Sequence, residues 1–197
     1  IMGSAIRGSR VGAGPMGEAE RGDAIARFRV SYWCAQGHET RPSFEPKGGI
    51  WAPDINYING KYVLYYSMSV WGGEWTCGIG VAVADRPEGP FIDKGKLFRS
   101  NEIGVQNSID QFYIEHRGRK YLFWGSFRGI YAIELSADGL SIKQGAEKKQ
   151  IAGTAFEGTY IYKKGKYYYS TFYFEGKTLP IIFYRKNISE KPTKLFD

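Results

Sequence analysis

One segment of this chain is written three times, and a repeat of that length restricts the architectures open to it more than any bulk property. The copies are DINYINGKYVLYYS from Asp54, DQFYIEHRGRKYLFWGS from Asp110 and EGTYIYKKGKYYYS from Glu157. Each opens on an acid, carries Tyr-Ile at its fourth and fifth positions, turns at Gly60, Gly118 or Gly165, and resumes with Lys-Tyr leading an aromatic strand. That pattern is a β-hairpin signature. Successive copies start roughly 50 residues apart, the period of a four-stranded propeller blade rather than of a helical repeat. IGVAVAD (Ile79–Asp85) and GIYAIEL (Gly129–Leu135) supply further strands, with turns at RPEGPF (Arg86–Phe91) and SADGL (Ser136–Leu140). An aromatic content of 16% with 26 glycines favours short strands and tight turns, so the expected fold class is all-β.

In a propeller the first strand of each blade lies nearest the axis, so residues opening equivalent strands meet at one end of the central channel. Asp54, Asp110 and Glu157 are therefore expected around a common funnel. A single acid at a strand start usually caps a turn through its side-chain oxygens. Its recurrence in three blades points to a shared ligand instead.

Three motifs stand in order along the chain: WAPDI (Trp51–Ile55), NSIDQF (Asn107–Phe112) and FEGTYI (Phe156–Ile161), with GPFIDKG (Gly89–Gly95) and WGSF (Trp124–Phe127) between them. As an ordered set they resemble glycoside hydrolase family 43, whose members open successive blades with WAPD, an SIDP-like motif and an EG motif. The resemblance spans Trp51 to Tyr169. It implies a five-bladed β-propeller, of which about three blades are recognisable here. It also implies inverting hydrolysis, in which one carboxylic acid protonates the leaving oxygen while a second carboxylate activates water on the opposite face. By motif position Glu157 resembles the general acid, and Asp110 the carboxylate that modulates the donor's pKa and orients it. The competing reading is a turn cap for Asp110 and a solvated strand start for Glu157. Asp54 is not given a catalytic role: it lines the funnel or braces a loop. Trp51 and Trp71 can stack on a sugar ring or pack in the core. Asn107 and Ser126 can bond sugar hydroxyls or serve the backbone.

The sequence departs from the family at both ends. The general base is an aspartate opening the first blade, upstream of WAPD, and no such motif exists; Asp23, the single aspartate before Asp54, is too near to be one blade earlier. Residues 1–36 show no blade pattern, which divides the chain into a non-matching segment and a partial propeller over 37–197. Five blades at this spacing need roughly 250 residues, so truncation or a shifted reading frame at both ends is expected. The chemistry requires no cofactor. A structural calcium belongs to the intact family fold, but neither His38 nor His116 stands in a matching motif.

The function implied is that of an arabinan endo-1,5-alpha-L-arabinosidase, with arabinan or arabinoxylan oligosaccharide as partner. The alternatives are an α-L-arabinofuranosidase or β-xylosidase of the same family, or an inactive carbohydrate-binding propeller. A formal charge of +7 raises nucleic acid as a partner, but the basic residues are scattered, mostly in turns, so none is expected. No run nears the ~18 apolar residues of a membrane span. Cys34 and Cys77 permit at most one disulfide and match no metal or redox spacing. The first residues lack the apolar core of a secretory signal, while a polysaccharide substrate implies a secreted, periplasmic or cell-surface location.

Overall fold

The computed structural model describes residues 42, 44–164, 167–174 and 177–183. Residues 1–36, with Asp23 and Cys34, together with His38 and the turn at Gly165, lie outside them. The described strands form three antiparallel meanders, in keeping with the all-β expectation. The first contains β1 (Gly49–Ile58), β2 (Lys61–Ser69), β3 (Gly78–Ala84) and β4 (Ile92–Arg99), hydrogen-bonded in that order. A short helix, α1 (Ser100–Ile103), leads to the second, made of β5 (Phe112–His116), β6 (Arg119–Trp124), β7 (Ile130–Leu135) and β8 (Lys149–Ala152). The third comprises β9 (Glu157–Lys164), β10 (Tyr167–Phe174) and β11 (Lys177–Phe183). β1 touches β5 and β5 touches β9, so the first strands of the blades stand side by side.

Local chemistry explains the hairpins. Asn59-Gly60 and Arg117-Gly118 each take two consecutive positive φ values, 50° and 80° in the first and 52° and 75° in the second. Two left-handed residues make the tight turn whose twist matches the flanking strands. The blades are then held by apolar side chains between them. Tyr65, Ile79, Tyr113, Leu122 and Trp124 fill the space between blades one and two. Tyr121, Phe123, Ile161 and Tyr168 fill that between blades two and three. Trp124 is fully buried, 4.9 Å from Phe98 and 5.9 Å from Tyr131 between ring centres, and its Nε1 donates to Ser108 Oγ at 3.1 Å. The Tyr65 hydroxyl crosses between blades to donate to the Gly139 carbonyl at 2.8 Å.

The structure corrects the alignment of the repeats. The last residues paired before each turn are Ile58, His116 and Lys164. Ile58 is itself the last, whereas Ile114 stands two residues before His116 and Ile161 three before Lys164. Strand side chains alternate faces, so the odd offset reverses the third copy. Ile58 and Ile114 each face the following blade, while Ile161 faces back onto blade two. By the same count the counterparts of Asp110 are Ala52 and Gly158, not Asp54 and Glu157. All three have left-handed φ, at 57°, 45° and 63°. Asp54 lies deeper along its strand, and the expected equivalence of the three acids does not hold.

Trp124→Ala is expected to lower stability by about 3–5 kcal/mol, since it leaves a cavity between two blades and orphans the Ser108 contact. Urea unfolding followed by circular dichroism measures the loss.

Candidate active site

In an up-and-down meander the start of the first strand, the second connection and the exit of the fourth strand share one end of the blade. The 70–77 and 125–129 connections, the 100–111 crossover and the heads of β1, β5 and β9 therefore gather at the same end. Segment 107–110 is laced to segment 124–126. Asn107 Nδ2 donates to the Ser126 carbonyl at 2.8 Å, and the Gly125 N–H donates to the Ile109 carbonyl at 2.9 Å. Ser126, almost fully buried, forms a single antiparallel bridge to Glu157, and the neighbouring Phe127 N–H donates to the Phe156 carbonyl at 2.9 Å. Blade two thus holds the head of blade three.

That bridge sets the position of the carboxylates. The Ser126 hydroxyl donates to Glu157 Oε2 at 2.8 Å. Asp110 keeps part of its surface open, yet burial of its carboxyl, augmented by the negative charge of Glu157, pushes its pKa up from 3.8 to about 7. Desolvation and a like charge both disfavour the ionised form, so Asp110 tends to retain its proton toward neutral pH. Asp54 is separate from this pair. Its Oδ2 accepts the Tyr113 N–H at 2.7 Å, bracing β1 against β5, and burial raises its carboxyl to about 6.

The remaining residues expected at the site divide by location. Trp71 is 95% exposed in the 70–77 connection, so core packing does not account for it, whereas Trp51 is half-buried on β1. The Asn107 amide and the Ser126 hydroxyl serve the protein itself, one bonding backbone and the other the acid. Sequence reasoning missed Trp75 and Phe127, which expose their rings on the same two connections as Trp71 and Ser126. It also missed the two-pronged ion pair joining those connections, Arg128 Nε and Nη2 to Glu74 Oε2 and Oε1 at 2.9 and 2.8 Å. These residues lie outside the repeated segment, so the repeat carried no signal for them. Among the described residues no group of three or more His, Cys, Asp or Glu gathers as it would to hold an ion. His116 Nδ1 is hydrogen-bonded to the Tyr168 hydroxyl at 2.8 Å.

The raised Asp110 pKa has a stability consequence. Between pH 3.8 and about 7 the folded state binds a proton at this carboxyl that the unfolded state has released, so its contribution is intact below that window and lost as pH rises through it. Asp110→Asn removes the loss. It should stabilise the protein at pH 8, on the order of 1–3 kcal/mol allowing for partial solvent access, with little effect below pH 4. Urea midpoints of both proteins across pH 4–8 test this.

Comparison with known proteins adds independent findings. The family model for glycosyl hydrolases family 43 matches residues 34–180. A second model, RNA polymerase-binding protein, matches residues 4–53, most of which lie outside the described residues. The arabinan endo-1,5-alpha-L-arabinosidase C of Emericella nidulans is 36% identical over 131 residues, 62% of this chain and 40% of that protein. A relative from Aspergillus clavatus, named as a probable arabinan endo-1,5-alpha-L-arabinosidase C, is 34% identical over 134 residues. This chain spans 41% of its length. Among solved structures, the Cellvibrio cellulosa alpha-L-arabinanase superposes with a TM-score of 0.65 at 23% identity, covering 84% of this chain and 64% of that one. The alpha-L-arabinofuranosidase of Clostridium thermocellum gives 0.57 at 31% identity, covering 75% of this chain and 50% of that one.

Proposed function

The chain belongs to the family 43 glycosyl hydrolases, and from that premise we propose that it carries the proton-donating side of an arabinan-cleaving site. Glu157 is the general acid and Asp110 the carboxylate that keeps a proton available to it and fixes its orientation. The observation that supports this most directly is the pairing itself: Ser126 grips one Glu157 oxygen while the charge of Glu157 raises the buried Asp110. A carboxyl that keeps its proton toward neutral pH, as burial and the charge of Glu157 make Asp110 do, is a proton reserve beside the donor. In the inverting reaction Glu157 passes its proton to the leaving oxygen as the bond to the anomeric carbon breaks. A carboxylate on the opposite face takes the proton of the attacking water. No described residue is assigned that second role.

Arabinan is the proposed substrate because relatives 34–36% identical are named for its 1,5-linked chain, and a Cellvibrio cellulosa alpha-L-arabinanase structure contains arabinohexaose. Exposed Trp71, Trp75 and Phe127 offer faces for furanose rings along such a chain. A polymer of this size is met outside the cell, so a secreted, periplasmic or cell-surface location follows. No described helix is long and apolar enough to cross a membrane. Similarity to an alpha-L-arabinofuranosidase supports a second reading, removal of single residues from arabinan or arabinoxylan chain ends. A binding module without turnover, in which the exposed rings hold sugar, is the third.

Reducing-sugar release from debranched arabinan, with xylan as control, discriminates among them. Glu157→Gln is expected to lower turnover by about 10²–10⁴-fold while leaving oligosaccharide binding intact. Mixed oligomeric products support internal cleavage, arabinose alone the second reading, and binding without release by the unsubstituted protein the third.

A further inference from the structure

Building on the assignment of Asp110 to the site, we infer that Ser67 and Gln111 are its positioning residues, joined in a buried circuit that sets the direction of the Asp110 carboxyl. Ser67, on β2, is completely buried. Its Oγ accepts the Asp110 N–H at 3.0 Å and donates its one hydrogen to Gln111 Oε1 at 2.6 Å. The Gln111 amide nitrogen, 5% exposed at the level of the residue, donates to the Tyr65 carbonyl at 3.0 Å and to the Ala52 carbonyl. Both amide hydrogens, the amide oxygen and the serine hydroxyl are therefore engaged. The circuit joins two left-handed residues, Asp110 at φ 57° and Ala52 at φ 45°. Ala52 lies in the bulge where β1 slips against β2 between Trp51 and Asp54.

Such backbone conformations cost about 1 kcal/mol or more for residues with a side chain and persist where the surroundings over-determine them. Ser67 supplies that constraint at the Asp110 nitrogen, one bond from the Cα that directs the carboxyl. Gln111 also stands where the SIDP-like motif has proline, which has no amide side chain to anchor a serine. The ionisable group whose charge bears on Asp110 is Glu157, and the other ionisable groups near the blade heads are engaged elsewhere. Glu157 on β9 lies against Ser126, Asp54 on β1 is bonded to the Tyr113 nitrogen, the Tyr65 phenol on β2 is bonded to Gly139, and Glu74 is paired with Arg128 across the connections. Neither Ser67 nor Gln111 carries charge, so they act on Asp110 through geometry alone.

The test uses the 197-residue chain with carbon-13-labelled aspartate, following the Asp110 carboxyl by NMR through a pH titration. Ser67→Ala and Gln111→Met are each expected to shift the Asp110 midpoint, and Ser67→Thr, which keeps the hydroxyl, to restore it. Where arabinan hydrolysis is measured, the first two variants should lose about 10- to 100-fold in kcat with KM little changed, as for a misplaced catalytic group. Their pH profile should move with the titration. Folded Ser67→Ala or Gln111→Met protein with an unaltered Asp110 titration overturns the inference, because a purely structural role lowers stability without moving that midpoint. Should Ser67→Ala not fold, Gln111→Met decides alone. Asp110→Asn with undiminished hydrolysis would instead remove Asp110 from the catalytic machinery, while the titration still decides whether the circuit positions its carboxyl.

Discussion

The second blade is apolar on both faces, and everything else in the molecule is arranged around covering them. Along β6, Leu122 and Trp124 point to blade one while Tyr121 and Phe123 point to blade three. Leu122, Phe123 and Trp124 are fully buried. A strand buried on both sides cannot face water with either half of its alternation, so a neighbouring sheet must stack on each face. At about 25 cal/mol per Å² of apolar surface removed from water, a few such aromatic and aliphatic residues outweigh any single polar contact in the fold. Stacking the blades places β1, β5 and β9 side by side and so brings their heads to one place.

The polar chemistry is a consequence of that stacking. Each element of the carboxylate site is supplied across a blade boundary: Ser126 of blade two grips Glu157 of blade three, and Ser67 of blade one accepts from Asp110 at the head of blade two. Asp54 of blade one accepts from Tyr113 of blade two. None of these contacts exists within an isolated hairpin. The same closeness strips water from Asp110 and brings the charge of Glu157 to bear on it, the two causes that lift its pKa toward neutrality. An isolated blade would leave the same aspartate hydrated, near its ordinary value. The site is a property of the assembly of blades, carried by residues that individually look like strand starts and turn caps.

Much of this was legible in the linear pattern because the relevant physics is local. Asn-Gly and Arg-Gly between apolar runs demand the two-residue turn, and the alternation on either side demands strands. The WAPD, SID and EG motifs point to Asp110 and Glu157 as neighbours in function, and the structure brings them within electrostatic reach. The register was not legible. The Tyr-Ile pairs look equivalent in sequence, yet they stand at different distances from their turns, and a one-residue difference reverses a side chain's face. That is why the repeat suggests a ring of three acids that includes Asp54, when its carboxylate instead braces two strands. Ser67 and Gln111 give no signal because a serine in an aromatic strand and a glutamine after an aspartate have no distinctive spacing. Their importance lies in one hydroxyl facing one amide across a blade boundary.

What the sequence by itself determined is therefore the hairpin strands, the turns between them and the repeat that makes blades, while Asp110 and Glu157 were singled out by the resemblance of their motifs to the family. The strands and turns follow from propensities and periodicities acting over fewer than about ten residues, and the blades from the longer repeat. What only the tertiary structure decided is which face each strand presents, which serine meets which acid, and how far burial shifts a carboxyl. Those depend on residues 30 to 60 positions apart meeting in space, Ser126 with Glu157 and Asp54 with Tyr113 among them. Hydrogen bonds and desolvation act over a few ångströms of space, and no local pattern in the chain encodes which distant segments will be brought that close.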